Sequence, residues 1–297
     1  MFGWKQRKGF LAGPESQKVG GGRGARDRRV RVANDLELFC IDRGEGPALV
    51  LLPGMTFSGE LFEAQVEAFS ADHRVIVPDP RSHGRSTLTA HGNDYPQHGQ
   101  DLAALFDALG LEDVALVGWS FGALSAWSYV DQFGMDRLRA FVCVDTPPVP
   151  MSPTDDPTDW AEGPVAELKG GYHAILTEEG QRAFMGDYTK HVMVQRDLSE
   201  AELQWIVGLA MRSPPSVLKD LYASGLFSDY LAVARAIAEA RPTLFILAEH
   251  WADLASSYLD AHIPKAEQVV LGGHRMFWEY PDAFNELLTD FLKRASA

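Results

Sequence analysis

The sequence predicts an α/β fold in which a mostly parallel sheet is covered by helices on both faces. Runs that are apolar throughout, such as residues 48–52 and 138–144, alternate with amphipathic stretches, and this is typical of strands buried on both sides. The alternation stops between residues 147 and 240 and then resumes. Such sheets bind ligands at the carboxyl ends of their strands. An insertion late in the sheet therefore predicts a helical cap over that edge.

The first half of the chain supplies most of the predicted sheet. Residues 29–41 alternate between apolar and polar side chains, which predicts a strand or a hairpin. Residues 97–109 are amphipathic and are followed by Gly110, a common helix end. The other elements predicted here are strands at 48–52, 73–77, 114–117 and 138–144 and helices at 59–69 and 123–133.

The second half begins with a turn-rich segment and returns to sheet and helix. Six prolines between residues 147 and 164 argue against regular structure there. The elements predicted after them are helices at 199–211 and 216–221, strands at 243–247 and 268–271, and a last helix at 282–294. The predicted organisation is a core of residues 29–146 and 241–297, with residues 147–240 as a helical cap.

The charge of the chain is unevenly distributed. Residues 1–31 contain nine Lys or Arg and two acidic residues, whereas the whole chain has a formal net charge of −14. Residues 1–28 have few apolar side chains and are interpreted as a flexible basic extension. The remainder is so acidic that it would repel a phosphate backbone, so nucleic-acid binding is not expected.

Composition predicts a globular protein without a membrane span or a metal site. Hydrophobic residues make up 46% of the chain, yet no apolar run approaches the roughly 18 residues of a membrane span. Cys40 and Cys143 lie in apolar runs, which predicts buried, reduced thiols and a cytoplasmic location. No His or Cys spacing is typical of zinc binding, so no metal is predicted.

The pentapeptide Gly118-Trp119-Ser120-Phe121-Gly122 predicts a catalytic nucleophile. It matches the pattern G-x-S-x-G and lies between a predicted strand and a predicted helix, which is the context that this pattern requires. A sharp turn there lifts the serine hydroxyl clear of the sheet, and glycines on either side let the backbone pass close by. Ser120 is therefore the candidate nucleophile.

His274 is the candidate general base. It follows the last predicted strand and precedes the final helix, which places it at the same sheet edge as Ser120. His83 lies in the turn of residues 79–86, where a structural hydrogen bond is the better interpretation. The other histidines do not share the position of His274.

Four landmarks resemble those of the α/β-hydrolase fold, and in particular its branch of cofactor-free haloperoxidases, esterases and lactonases. They are the loop 51–56, the turn 79–86, the G-x-S-x-G elbow, and the segment 274–281. Relatives usually have His-Gly in the first loop, and here Pro53 replaces that histidine. The resemblance implies no cofactor and assigns the oxyanion to the backbone N–H groups of Met55 and Phe121.

The acid of the triad departs from the family pattern. Relatives usually have Gly-x-x-Asp after the seventh core strand, whereas this chain has Ala248-Glu249-His250-Trp251. Trp251 therefore occupies the expected acid position. Asp145, at the end of the preceding strand, is the selected candidate because some α/β-hydrolases carry their acid there. Asp253 and Glu249 remain alternatives.

These residues predict a serine hydrolase that cleaves a carboxylic ester or lactone through an acyl-enzyme. Substrate contacts are expected from Trp119, Trp251 and Phe57. The density of aromatic residues in the cap favours a small, largely apolar substrate. The alternatives are a C–C bond hydrolase or a perhydrolase that uses the same triad, or a binding protein that has lost catalysis.

Overall fold

The computed structural model describes residues 27–152, 154, 156–163 and 165–296. Its sheet has eight strands in the order β1-β2-β4-β3-β5-β6-β7-β8. The strands are β1 (Arg28–Ala33), β2 (Leu36–Arg43), β3 (Ala48–Leu52), β4 (Arg74–Pro78), β5 (Val114–Trp119), β6 (Leu138–Val144), β7 (Thr243–Leu247) and β8 (Glu267–Val270). The basic extension predicted for residues 1–28 lies almost wholly outside the described residues.

The sheet is mostly parallel, as the sequence predicts. The strands β3 to β8 pair in parallel, whereas β1 and β2 form an antiparallel hairpin that joins the sheet through β4. Every residue of β3, β5 and β7 is buried. The alternating hairpin instead exposes one side of β1. Continuous apolar runs thus form the centre of the sheet, and the alternating segment forms its edge.

Helices cover both faces of the sheet. They are α1 (Glu63–Phe69), α2 (Tyr95–Leu109), α3 (Gly122–Phe133), α4 (Val165–Ala174), α5 (Glu178–Tyr188), α6 (Glu200–Ala210), α7 (Pro215–Leu226), α8 (Leu231–Ala240), α9 (Ala252–His262), α10 (Met276–Glu279) and α11 (Pro281–Ala295). One apolar cluster joins α2, α3, α8 and α9 to one face, and a second joins α1, α10 and α11 to the other. The predicted fold class is therefore confirmed.

From residue 165 onward, the segment between β6 and β7 is helical. A π-helix at Thr189–Met193 follows α5 directly, and a complete capping box of Ser199 and Glu202 begins α6. The helix α8 packs on the sheet face beside α3. Sequence patterns did not single out α4, α5, α8 or α9. None of the described helices is long and apolar enough to cross a membrane.

Candidate active site

Ser120 lies on a strained turn between β5 and α3. Its backbone φ is 50°, a left-handed conformation that non-glycine residues rarely adopt. A Cβ on Gly118 would lie 2.5 Å from the Ala123 Cα, and a Cβ on Gly122 would lie 2.5 Å from the Leu52 carbonyl oxygen. Both glycines are therefore required where the start of α3 passes over the ends of the strands. The turn leaves Ser120 partly exposed at the floor of a cavity.

His274 and Asp145 form a buried pair at the same edge of the sheet. The His274 Nδ1 and the Asp145 Oδ2 lie 2.7 Å apart, and both side chains are almost completely inaccessible to solvent. Asp145 follows β6 directly and has a φ of 60°. This second left-handed residue turns the carboxylate toward the histidine loop. The geometry is that of an acid that orients an imidazole.

The remaining oxygen of Asp145 is fully engaged. Its Oδ1 accepts hydrogen bonds from the Ala248 backbone N–H at 2.7 Å and from the Trp251 indole N–H at 2.6 Å. The two alternative acids lie elsewhere: Asp253 is exposed in the first turn of α9, and Glu249 is exposed and bonded to Gln195. Of the three candidates, only Asp145 is therefore placed against His274.

The backbone around His274 is held by β5 and by the π-helix that follows α5. The Trp119 indole N–H donates to the His274 carbonyl oxygen at 2.8 Å. The His274 N–H donates to the Val192 carbonyl at 3.3 Å, and the Arg275 N–H donates to the Met193 carbonyl at 2.8 Å. Both acceptors belong to the π-helix. The histidine loop is thus fixed from two sides.

Two backbone amides beside Ser120 have no hydrogen-bond acceptor among the described residues. They belong to Met55 and Phe121, the expected oxyanion donors. A Cβ on Gly54 would lie 2.9 Å from the Ser120 Cβ, so the loop that carries Met55 lies directly against the nucleophile. Met55 and Phe121 both line the cavity. Free amides at such a position can bind a developing negative charge.

The cavity above Ser120 has a volume of about 400 Å³. Its aromatic lining consists of Phe57, Trp119, Phe121, Phe184, Tyr188 and Tyr222. Two expected substrate contacts, Phe57 and Trp119, are among them. Trp251 does not line the described cavity, because its indole is directed to Asp145. Its expected role as a substrate contact stays a prediction, and the structure adds a contact that supports the acid.

The polar side chains in the turn of residues 79–86 hold the backbone in place. The Asp79 carboxylate accepts from the Gly59 N–H at 2.7 Å and from the Arg85 N–H at 2.9 Å. His83 is buried, and its Nδ1 lies 2.6 Å from the Arg81 carbonyl oxygen. Burial lowers the pKa of His83 to about 4, so the imidazole is neutral.

Within the described part of the chain, no cluster of His, Cys, Asp and Glu has a geometry suited to a metal ion.

Comparison with known proteins identifies the family. A profile described as the alpha/beta hydrolase fold matches residues 47–281. The chain belongs to the α/β-hydrolase family. Its relatives are enzymes named for haloperoxidase, esterase and epoxide hydrolase activities, which confirms that this α/β-hydrolase is an enzyme of the haloperoxidase and esterase branch.

Three similar proteins illustrate this placement. A putative non-heme chloroperoxidase of Synechocystis is 26% identical over 87% of this α/β-hydrolase and 95% of its own length. The non-heme chloroperoxidase CPO-A1 of Kitasatospora aureofaciens is 34% identical, over 49% of this chain and 53% of its own. The crystal structure of a Bacillus anthracis bromoperoxidase, 26% identical, superposes with a TM-score of 0.81 over 90% of this chain and 100% of its own.

Sequence reasoning did not single out Glu162, which lines the same cavity of this α/β-hydrolase. The residue is partly exposed, but its Oε1 is closed off from solvent and accepts no hydrogen bond from the described residues. Burial raises the pKa of Glu162 to about 7, although the nearby His274 lowers it. Glu162 lies in the proline-rich segment, where no periodicity or motif marks it. Only the fold brings it to the site.

Proposed function

We propose that this α/β-hydrolase is a serine hydrolase that cleaves a carboxylic ester or a lactone through an acyl-enzyme. The observation that carries the proposal is the buried 2.7 Å contact between the His274 Nδ1 and Asp145 at the sheet edge that presents Ser120. A carboxylate on Nδ1 leaves the other ring nitrogen, Nε2, to accept a proton from a nucleophile. The two free amides beside Ser120 supply the second requirement of acyl transfer.

The mechanism follows from these positions. His274 removes the proton of the Ser120 hydroxyl, whose oxygen attacks the carbonyl carbon while the Met55 and Phe121 amides bind the oxyanion. The tetrahedral intermediate collapses, and His274 returns the proton to the leaving alkoxide. Water then attacks the acyl-enzyme with His274 as base, which releases the acid and restores the serine. Asp145 stabilises the imidazolium in both halves of the reaction.

Perhydrolysis is a second candidate because two of the relatives are named non-heme chloroperoxidases. In that reaction hydrogen peroxide replaces water in the attack on the acyl-enzyme, and a peracid leaves. The same serine, histidine and amides serve both outcomes. Peracid formed from an ester in the presence of hydrogen peroxide, but not by the Ser120→Ala variant, would support this activity.

Covalent labelling tests the proposal directly. A fluorophosphonate should form one adduct on the wild-type chain, detected by intact mass and located on Ser120 by peptide mapping. The Ser120→Ala variant should form no adduct and should not hydrolyse p-nitrophenyl esters, while its circular dichroism remains that of the wild type. Ester hydrolysis retained by the pure variant would exclude Ser120 as the nucleophile.

A further inference from the structure

The lining of the cavity combines carboxylates with aromatic faces. Glu162 and Glu167 both line it, and no Lys, Arg or His side chain does so among the described residues. Phe184, Tyr188 and Tyr222 form a wall on the same cavity: Phe184 stacks on Tyr188 with ring centroids 5.9 Å apart and meets Tyr222 edge to face at 6.3 Å. Aromatic faces with a nearby anion are the usual environment of a bound ammonium group.

The wall is continuous with the reacting groups. The Tyr188 ring lies 5.9 Å from the His274 ring, centroid to centroid, and Ser120 lines the cavity that the wall encloses. A cation against the wall therefore lies within the length of a small ester whose carbonyl carbon is at Ser120. The formal net charge of −14 adds a long-range attraction for cations.

The position of Glu162 is fixed by its own segment. The Glu162 backbone N–H donates to the Pro150 carbonyl oxygen at 2.8 Å. Two residues earlier, the Trp160 side chain is completely buried and packs edge to face against Trp251 at 6.1 Å. The carboxyl is therefore held at the cavity, yet its Oε1 is left without a partner. A buried oxygen in that state costs free energy unless a ligand supplies the donor.

We propose that the cavity selects esters that carry a protonated amine or a quaternary ammonium group. Glu162 is the anionic partner of that group, and Phe184, Tyr188 and Tyr222 surround it. The proposal rests on the ester hydrolysis proposed above and names its substrate class. The ammonium group does not react: the ester and water give an acid and an alcohol, one of which keeps the positive charge.

Two acetates of nearly the same shape test the selectivity. Acetylcholine carries a trimethylammonium group where 3,3-dimethylbutyl acetate carries a neutral tert-butyl group. We expect kcat/KM of the wild type to favour acetylcholine by about tenfold or more. Glu162→Gln should lower this ratio by about tenfold. Asp187→Asn, which removes one charge from an exposed position on α5, should leave the ratio at its wild-type value.

The pH dependence of the kcat/KM ratio for the two acetates tests the proposal without a variant. Because burial raises the pKa of Glu162 to about 7, the ratio of kcat/KM should rise as the pH passes through that value. His274 also lies near Glu162 and lowers its pKa. The other ionisable groups that act on Glu162 or share its cavity are Asp145, Glu167, Tyr95, Tyr188 and Tyr222. Burial raises the pKa of the three phenols, which therefore stay neutral through this range.

A binding measurement separates this proposal from the hydrolytic one. Calorimetry should detect benzyltrimethylammonium binding to the Ser120→Ala variant and a large loss of that binding in Ser120→Ala/Glu162→Gln. This result would support the ammonium site even if neither acetate were cleaved. A wild-type ratio near one, a preference abolished by Glu167→Gln but not by Glu162→Gln, or no binding of the ammonium would overturn the proposal.

Discussion

The Trp251 indole N–H donates to the Asp145 carboxylate across 2.6 Å, and the other oxygen of that carboxylate contacts His274. Trp251 occupies the position where relatives usually carry the triad acid. The residue that replaces the usual acid is thus a hydrogen-bond donor to the acid on the neighbouring strand. Because β6 and β7 are adjacent in the sheet, both strand ends reach the same histidine.

Replacing Asp145 tests its role as the acid. Asp145→Asn should lower kcat by about 10⁴-fold, the loss caused by the same change in a serine-protease triad, because the amide favours the wrong imidazole tautomer. Asp253→Asn is the matched control and should have nearly normal kinetics, since Asp253 is exposed on α9. Both variants are assayed on one ester, with circular dichroism to verify folding. A severe defect in Asp253→Asn with a mild one in Asp145→Asn would reverse the assignment.

The indole of Trp251 should contribute to catalysis through Asp145. Trp251→Phe keeps an aromatic ring but removes the N–H, and a hydrogen bond to a charged group contributes roughly 1.5–3 kcal/mol. We expect kcat to fall by about tenfold or more while KM changes little, because Trp251 does not line the described cavity. Trp205→Phe, on the exposed part of α6, is the control. A change confined to KM would show that Trp251 contacts substrate.

Local patterns were sufficient to predict the elbow and the histidine position. A strand, a glycine-flanked serine and a helix follow one another directly in the sequence. Their arrangement around Ser120 is therefore encoded locally. The acid is different. The choice of Asp145 over Asp253 depends on the adjacency of β6 and β7 and on an indole N–H whose direction no sequence pattern shows. The sequence therefore left alternatives open at this one position.

Glu162 shows a second limit of sequence reasoning. It lies in a proline-rich segment without helix or strand periodicity, and most of its neighbours in the cavity come from other parts of the chain, namely the loop after β3, the elbow, α5 and α7. A lone glutamate in such a segment is usually a solvated residue. Its burial arises from long-range packing, in which the Trp160 side chain anchors the segment beside Trp251.

The glycines of the elbow should not tolerate a side chain. Gly122→Ala places a Cβ 2.5 Å from the Leu52 carbonyl oxygen and 2.7 Å from that of Pro53, and these backbone atoms cannot move without displacing β3. We expect a loss of roughly 1–3 kcal/mol of stability, together with lower kcat from displacement of Ser120. Gly208→Ala on α6 meets nothing within 4 Å and should raise stability by roughly 0.5–1 kcal/mol. Equal melting temperatures in the two variants would contradict this interpretation of the elbow.

Glu162 should lower the stability of the protein as the pH rises from about 5 to 8. The folded chain keeps the Glu162 proton up to about pH 7, whereas the ordinary pKa of this group is 4.5. Between these values the folded state binds more protons than the unfolded state, so the contribution of Glu162 to the free energy of unfolding falls as the pH rises. Glutamine does not titrate. The melting temperature of Glu162→Gln, relative to the wild type, should therefore increase between about pH 5 and pH 8.

A control variant shows whether this pH-dependent loss of stability is specific to Glu162. Asp187→Asn removes an exposed charge from α5 and should show no comparable pH-dependent gain. A difference between Glu162→Gln and the wild type that stays flat with pH would show that Glu162 ionises in the folded chain as it does in the unfolded one. A rising difference, together with weaker ammonium binding by the same variant, would show that the carboxyl destabilises the empty fold and binds the ligand. Such a loss of stability in exchange for ligand binding is expected of a residue that serves function, and not of one that only supports the fold.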